Sequence, residues 1–140
     1  DLILTDGPPG IGCPVIAAIG GATALLIVVE PTVSGLHDMQ RVADLAMHFK
    51  VPGLVCINKF DLNIEMTLKI EAFAITRNMK LMGCIPFDPV FIRAMIEGKN
   101  VLEQEPDSMA AAALREVWQK ILHSPSMNKI GIRDFSSIIQ

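Results

Sequence analysis

The sequence predicts an α/β fold built on a parallel, doubly wound sheet, and three observations lead there. Four short apolar runs, residues 2–5, 24–29, 54–57 and 81–85, have strand length and are rich in Ile, Val and Leu. Helical patterns lie between them, and alternation of strand and helix gives parallel strands joined by right-handed crossovers. Hydrophobic residues make up 51% of the chain and charged ones only 19%, a balance that suits strands covered on both faces.

Taken in order, the chain opens inside the first strand pattern without an initiating Met, which predicts that further sequence precedes it. Pro14 followed by Val-Ile-Ala-Ala-Ile predicts a helix with Pro at its first position, ending near Gly20-Gly21. Leu36, Met39, Val42, Leu45, Ala46 and Phe49 recur every three to four residues as one helix face, and Met66, Ile70, Phe73 and Ala74 form another. Beyond the last strand the pattern predicts a short helix over residues 90–96, a loop carrying Gly98 and Pro106, and a longer helix over residues 108–122. Met109, Ala113, Val117 and Ile121 form one stripe of that helix, with Ala110, Leu114, Trp118 and Leu122 beside it, and the helix is expected to pack on the sheet. Residues 128–140 place five apolar side chains among polar ones, as expected of a segment that docks on its own core or on a partner. Only Lys129 and Arg133 are cationic there, too few for a membrane-seeking tail.

Composition excludes several classes. The longest apolar stretch, residues 22–29, is far short of the roughly 20 residues a membrane span needs. A net charge of −3 with 12 scattered basic residues argues against a nucleic-acid surface. Cys13, Cys56 and Cys84 are odd in number and far apart, which predicts free thiols in a reducing cytoplasm. At 140 residues the chain has the size of one ordinary domain.

In open parallel sheets ligands bind beyond the carboxyl ends of the strands, and that is where the polar residues gather. The four strands lead into Asp6-Gly-Pro-Pro-Gly10, Glu30-Pro-Thr-Val-Ser-Gly35, Asn58-Lys59-Phe60-Asp61 and Pro86-Phe-Asp88-Pro89. Asp6 is placed to hold Mg²⁺ through water, a hard cation on hard oxygen ligands. Gly7 and Gly10 can bring backbone N–H groups close to a phosphate; the plain alternative is a strand-to-helix turn with a capping Asp. Asn58-Lys59-Phe60-Asp61 fits N-K-x-D, a base-reading turn in which Asp61 accepts from a guanine edge, Asn58 fixes the loop or the base, and Lys59 supports the pocket. A solvated lysine is the alternative reading of Lys59.

Together the Asp6–Gly10, Glu30–Gly35 and Asn58-Lys59 segments resemble the CobQ/CobB/MinD/ParA nucleotide-binding family, and within it the MinD-like P-loop ATPases with an inserted ferredoxin domain. The resemblance covers residues 1–98. It implies that residues 1–127 are the C-terminal part of a P-loop NTPase-like domain, followed by the 128–140 tail. It also implies Asp6 in switch II, sensing Mg²⁺ and the γ-phosphate, with Gly10 as hinge. Asn58 would contact the base, and the turn holding Pro86 and Asp88 would close over it through its backbone. Such proteins form nucleotide-bridged homodimers whose hydrolysis of ATP resets a partner-binding surface. The phosphate-binding loop itself is absent, so the chain alone is expected not to hydrolyse ATP. ATP is preferred over GTP on the resemblance, against the guanine reading of N-K-x-D.

Cys13, at a predicted helix start, stands where a cysteine can act as a metal ligand. The nitrogenase iron protein carries a 4Fe–4S ligand similarly placed after its switch aspartate; a small residue packing at a helix start is the bland alternative. Two other functions remain open: an ATP-dependent amide ligase of the cobyrinic acid a,c-diamide synthase type, and a non-catalytic interaction module.

Overall fold

The computed structural model describes residues 2–7 and 12–128. The elements are α1 (Cys13–Gly20), β1 (Leu25–Val29), α2 (Val33–His48), β2 (Gly53–Asn58), a 3₁₀ turn (Phe60–Leu62), α3 (Ile64–Thr76), β3 (Lys80–Ile85), α4 (Val90–Ile96), α5 (Val101–Gln104), α6 (Met109–Leu122) and α7 (Pro125–Asn128). The three strands form one parallel sheet in the order β1-β2-β3. The α/β architecture with helices on both faces is the one the alternating pattern predicts.

Alternation along β2 explains the two layers, because successive side chains leave a strand on opposite sides. Val55 and Ile57 join Ile27 and Val29 against Met39 of α2 and Ile70 and Ala74 of α3. Leu54 and Cys56 join Met82 and Ile85 against Val117 of α6. Residues 54–57 are therefore buried without interruption. Each long helix starts on a side-chain cap: Thr32 accepts from the Gly35 N–H, Asn63 from Met66, and Ser108 from Ala111. Their buried positions, Met39/Ala43/Ala46 and Thr67/Ile70/Ala74, follow the three-to-four spacing of one helix face.

A register shift between Val55 and Cys56 opposes Cys56 to Gly83, leaving Met82 as the extra residue in β3. Gly83 has φ +155°, and a Cβ there would lie 2.8 Å from Val117 Cγ2. Glycine thus permits both the bulge and the close approach of α6.

Three expectations need correction. Residues 2–5 form no strand: residues 2–7 are irregular, with Ile3 88% and Leu4 77% exposed. A strand persists only where its backbone groups are paired, and among the described residues β1 pairs with β2 alone. Among the described residues the sheet therefore has three strands, not four. The first helix begins at Cys13, with Pro14 in its second position. Between Gly98 and Pro106 the chain forms α5, started by a capping box in which Asn100 and Glu103 satisfy each other's backbone N–H. Gly10 and residues 129–140 of the tail lie outside the described residues.

All three cysteines are free; Cys13 is exposed, Cys84 half-buried and Cys56 buried. Burial, then the neighbouring Cys84, pushes the Cys56 thiol up to about 11. Burial, then Glu71, raises Cys84 as well. Thiolate is the reactive form. Brief alkylation near pH 8 is expected to modify Cys13 first and to leave Cys56 untouched until the protein unfolds, which peptide mass mapping reads directly. The unfolded chain releases the Cys56 proton near pH 9 and the folded chain holds it to about 11. This group's contribution to stability therefore declines across that interval as pH rises.

Candidate nucleotide site

The ends of the three parallel strands lie side by side: Val29 opposes Ile57, and Asn58 opposes Ile85. The loops that follow are consequently neighbours on one edge, and their side chains join them.

The first loop turns from β1 into α2 within three residues. Thr32 N–H donates to the Glu30 carbonyl at 2.8 Å, and the Thr32 hydroxyl accepts the Gly35 N–H at 2.9 Å. Gly35 presses on the strand end: a Cβ there would stand 2.4 Å from the Glu30 carbonyl oxygen.

The second loop leaves β2 at the half-buried Asn58. Lys59 then takes the left-handed conformation, φ 55° and ψ 40°, uncommon for a residue with a side chain and costing about 1 kcal/mol. That reversal feeds the 3₁₀ turn, which Thr67 anchors from α3 by donating its buried hydroxyl to the Phe60 carbonyl at 2.8 Å. The Lys59 ammonium lies 2.6 Å from Glu30 Oε1, joining the first and second loops. Both partners are well exposed, so the pair adds less than about 1 kcal/mol.

The third loop leaves β3 as Pro86-Phe87-Asp88-Pro89. The Phe87 N–H donates to Asp61 Oδ1 at 2.7 Å, joining the second and third loops across 26 residues of sequence. Asp88 accepts the Val90 N–H at 2.9 Å and so starts α4. Pro86 and Asp88 are half-buried, whereas Phe87 is exposed.

Of the residues singled out from sequence, Asn58, Lys59, Asp61, Pro86 and Asp88 therefore share one rim. Asp6 lies apart from the strand ladder, in an exposed irregular segment. Three contributors escaped sequence reasoning: Glu30 as the partner of Lys59, Thr67 as the anchor of the 3₁₀ turn, and the Phe87 N–H as the partner of Asp61. For Thr67 a signal existed, a hydroxyl on the buried face of α3 that had to find an acceptor.

The donor set fits the base end of a nucleotide. The Asn58 amide can both donate and accept, and Asn58 stands opposite Ile85, directly before the third loop. Within the described residues the fit does not extend to the phosphates. The rim holds one cation, Lys59, already paired with Glu30, alongside the carboxylates of Asp61 and Asp88. Asp6 offers a single carboxylate, and Mg²⁺, which keeps several waters and takes one or two carboxylates together with phosphate oxygens, could take it as one ligand. No group of three His, Cys, Asp or Glu among the described residues could hold a metal ion. The arrangement does not fit a 4Fe–4S cluster within one copy either, since Cys56 is buried in the sheet and Cys13 stands exposed on α1. A concavity lined by Lys80, Leu81, Met82, Lys120, His123, Ser124 and Pro125 opens at the start of β3, at the opposite end of the strands from the rim.

Among the described residues no helix is long and apolar enough to cross a membrane. No family model matches the chain. It is 29% identical over 121 residues to an uncharacterized protein of Methanocaldococcus jannaschii, covering 86% of this chain and 40% of that one. An uncharacterized ATP-binding protein of the same organism is 26% identical over 122 residues, with 87% and 46% covered. A cytosolic Fe-S cluster assembly factor of Bos taurus is 25% identical over 137 residues, with 87% and 51% covered. Among solved structures, the septum site-determining protein MinD of Pyrococcus horikoshii, complexed with Mg-ADP, superposes with a TM-score of 0.71 at 23% identity, covering 91% of this chain and 52% of that one. The cell division ATPase MinD of Pyrococcus furiosus gives 0.70 at 23% identity, with 83% and 49% covered. The chain thus spans about half the length of the relatives it matches, and the resemblance to MinD/ParA-type proteins read from its motifs holds in both sequence and fold.

Proposed function

We propose that this chain, MinD/ParA-like in sequence and fold, supplies the base-binding side of a Mg-ATP site. In the whole protein that site hydrolyses ATP and drives a cytoplasmic homodimer between two states. One observation carries the reading. The loops that follow three adjacent parallel strands are tied to one another by Lys59–Glu30 and by Asp61–Phe87, giving a preorganised rim at the place where α/β sheets bind ligands. A relative described as ATP-binding and a solved relative complexed with Mg-ADP support the choice of ligand.

In this reading the Asn58 amide bonds the adenine edge and the third loop, from Pro86 to Asp88, closes over the ring. Asp6 lies at the γ-phosphate end and holds Mg²⁺ through water, with Gly10 as the hinge of that loop. Bound Mg²⁺ would neutralise charge that develops on the transferred phosphoryl group. The phosphate cradle comes from sequence other than the residues described above, because the rim has no free cation to offer. Ordering of the Asp6 loop by the γ-phosphate, and its release on hydrolysis, would be the switch. Partners of the Fe–S assembly kind are favoured by the relatives named for that role.

Calorimetric titration of the whole protein tests this. Mg-ADP is expected to bind, and Asn58→Ala to weaken it about tenfold through loss of the base contact. Undiminished affinity in Asn58→Ala would remove the base from this rim.

A further inference from the structure

We infer that the Asn58-Lys59-Phe60-Asp61 turn acts here as a loop clamp, with Asp61 a positioning residue for the third loop instead of a reader of guanine. The inference rests on the nucleotide reading for its consequence but not for its geometry. To read guanine, a carboxylate must present both oxygens to the ring N–H and exocyclic amine. Asp61 Oδ1 instead accepts the Phe87 N–H at 2.7 Å, at the short end for a charged acceptor on an amide. Lys59, the other charged member of the turn, is held 2.6 Å from Glu30 by its left-handed backbone. Both charged side chains of the motif are thus engaged with protein, one on each flanking loop.

The consequence is a preference between purines. Pro86 and Pro89 contribute no N–H to the third loop, and the Phe87 N–H is taken by Asp61. Little remains in that loop except carbonyl acceptors and the Asp88 N–H. Acceptors suit the 6-amino group of adenine; the 6-oxo group of guanine needs donors. Asp61 therefore favours adenine by withdrawing both a donor and a guanine-reading carboxylate from the rim.

The test has two arms. In the first, amide exchange at Phe87 is followed by NMR in the nucleotide-free chain. Asp61→Ala is expected to speed exchange about tenfold, as loss of one charge-assisted bond would, while Asp61→Asn, which keeps an acceptor oxygen, restores most of the protection. Unchanged exchange in Asp61→Ala overturns the clamp. In the second, Mg-ADP and Mg-GDP are titrated into the whole protein. Asp61→Ala frees the Phe87 N–H and is expected to weaken Mg-ADP relative to Mg-GDP by about fivefold, the worth of one ordinary hydrogen bond, with Asp61→Asn close to the parent. An unchanged ratio overturns the purine preference. A selective loss of Mg-GDP binding makes Asp61 a base reader and overturns the inference. Should neither nucleotide bind the parent protein, the proposed function fails, and the Phe87 exchange rate alone decides the clamp. Should Asp61→Ala not fold, the Phe87 amide proton in Asp61→Asn decides it: an upfield shift supports the charged bond, and no shift refutes it.

Discussion

Gly35→Ala is expected to destabilise the protein by about 3 kcal/mol and to loosen the first loop of the rim. Gly35 sits in the first turn of α2, where alanine would ordinarily gain about 1 kcal/mol of helix propensity over glycine. Packing reverses that sign. The added Cβ would stand 2.4 Å from the Glu30 carbonyl oxygen, 3.0 Å from Thr32 Oγ1 and 3.3 Å from Val29 Cγ2. The nearest of these atoms is backbone, bonded in turn to the Thr32 N–H, so relief requires the β1–α2 turn to open. Overpacking of this kind costs about 3 kcal/mol, and displacing Gly35 also strains its cap bond to Thr32, worth about 1 kcal/mol. Urea denaturation should show a lower midpoint with an unchanged slope. Gly21→Ala is the control, since nothing lies within 4 Å of a Cβ there. Equal midpoints for Gly35→Ala and the parent protein would refute the account.

The same loop shows what a sequence can and cannot disclose. The strands and long helices were legible because burial imposes a period: residues 54–57 read as an uninterrupted apolar run, and Leu36, Met39, Val42, Leu45, Ala46 and Phe49 recur at helix spacing, of which Met39 and Ala46 are fully buried. Positions of the loops at strand ends followed from parallel topology. Residues 2–5 carry the same apolar signal yet form no strand, because the signal reports suitability for a sheet and not the presence of a neighbour to pair with. The ties that make the rim were invisible for a different reason. Asp61 and Phe87 lie 26 residues apart, and the bond engages a backbone N–H, so side-chain chemistry at position 87 gives no hint of it. Only the β2–β3 register, with Asn58 opposite Ile85, brings them together. The motif Asn58-Lys59-Phe60-Asp61 was readable as a pattern, but its role depended on what stood next to it.

Ile57→Ala is expected to cost about 4 kcal/mol, a large part of the 5–15 kcal/mol that holds a typical domain folded. Ile57 is fully buried in the central strand, packed in one cluster with Met39 of α2 and Ile70 and Ala74 of α3. Strands and helices enclose it, and the site can collapse little around the missing atoms, which places the cost toward the upper part of the usual range. Ile57→Val removes a single methylene and should cost only about 1 kcal/mol. Ile75→Ala, on the same layer but 76% exposed, should be near neutral. The three variants, compared by urea denaturation, separate burial from residue type. The consequence for the site follows from chain geometry. Ile57 directly precedes Asn58, and its side chain fixes the end of β2 against α3, from which Thr67 holds the 3₁₀ turn. A void at position 57 lets that strand end shift toward the helix and draws Asp61 away from the Phe87 N–H. Exchange at Phe87 should therefore rise in Ile57→Ala by more than the global loss of stability explains, and remain near the parent rate in Ile75→Ala.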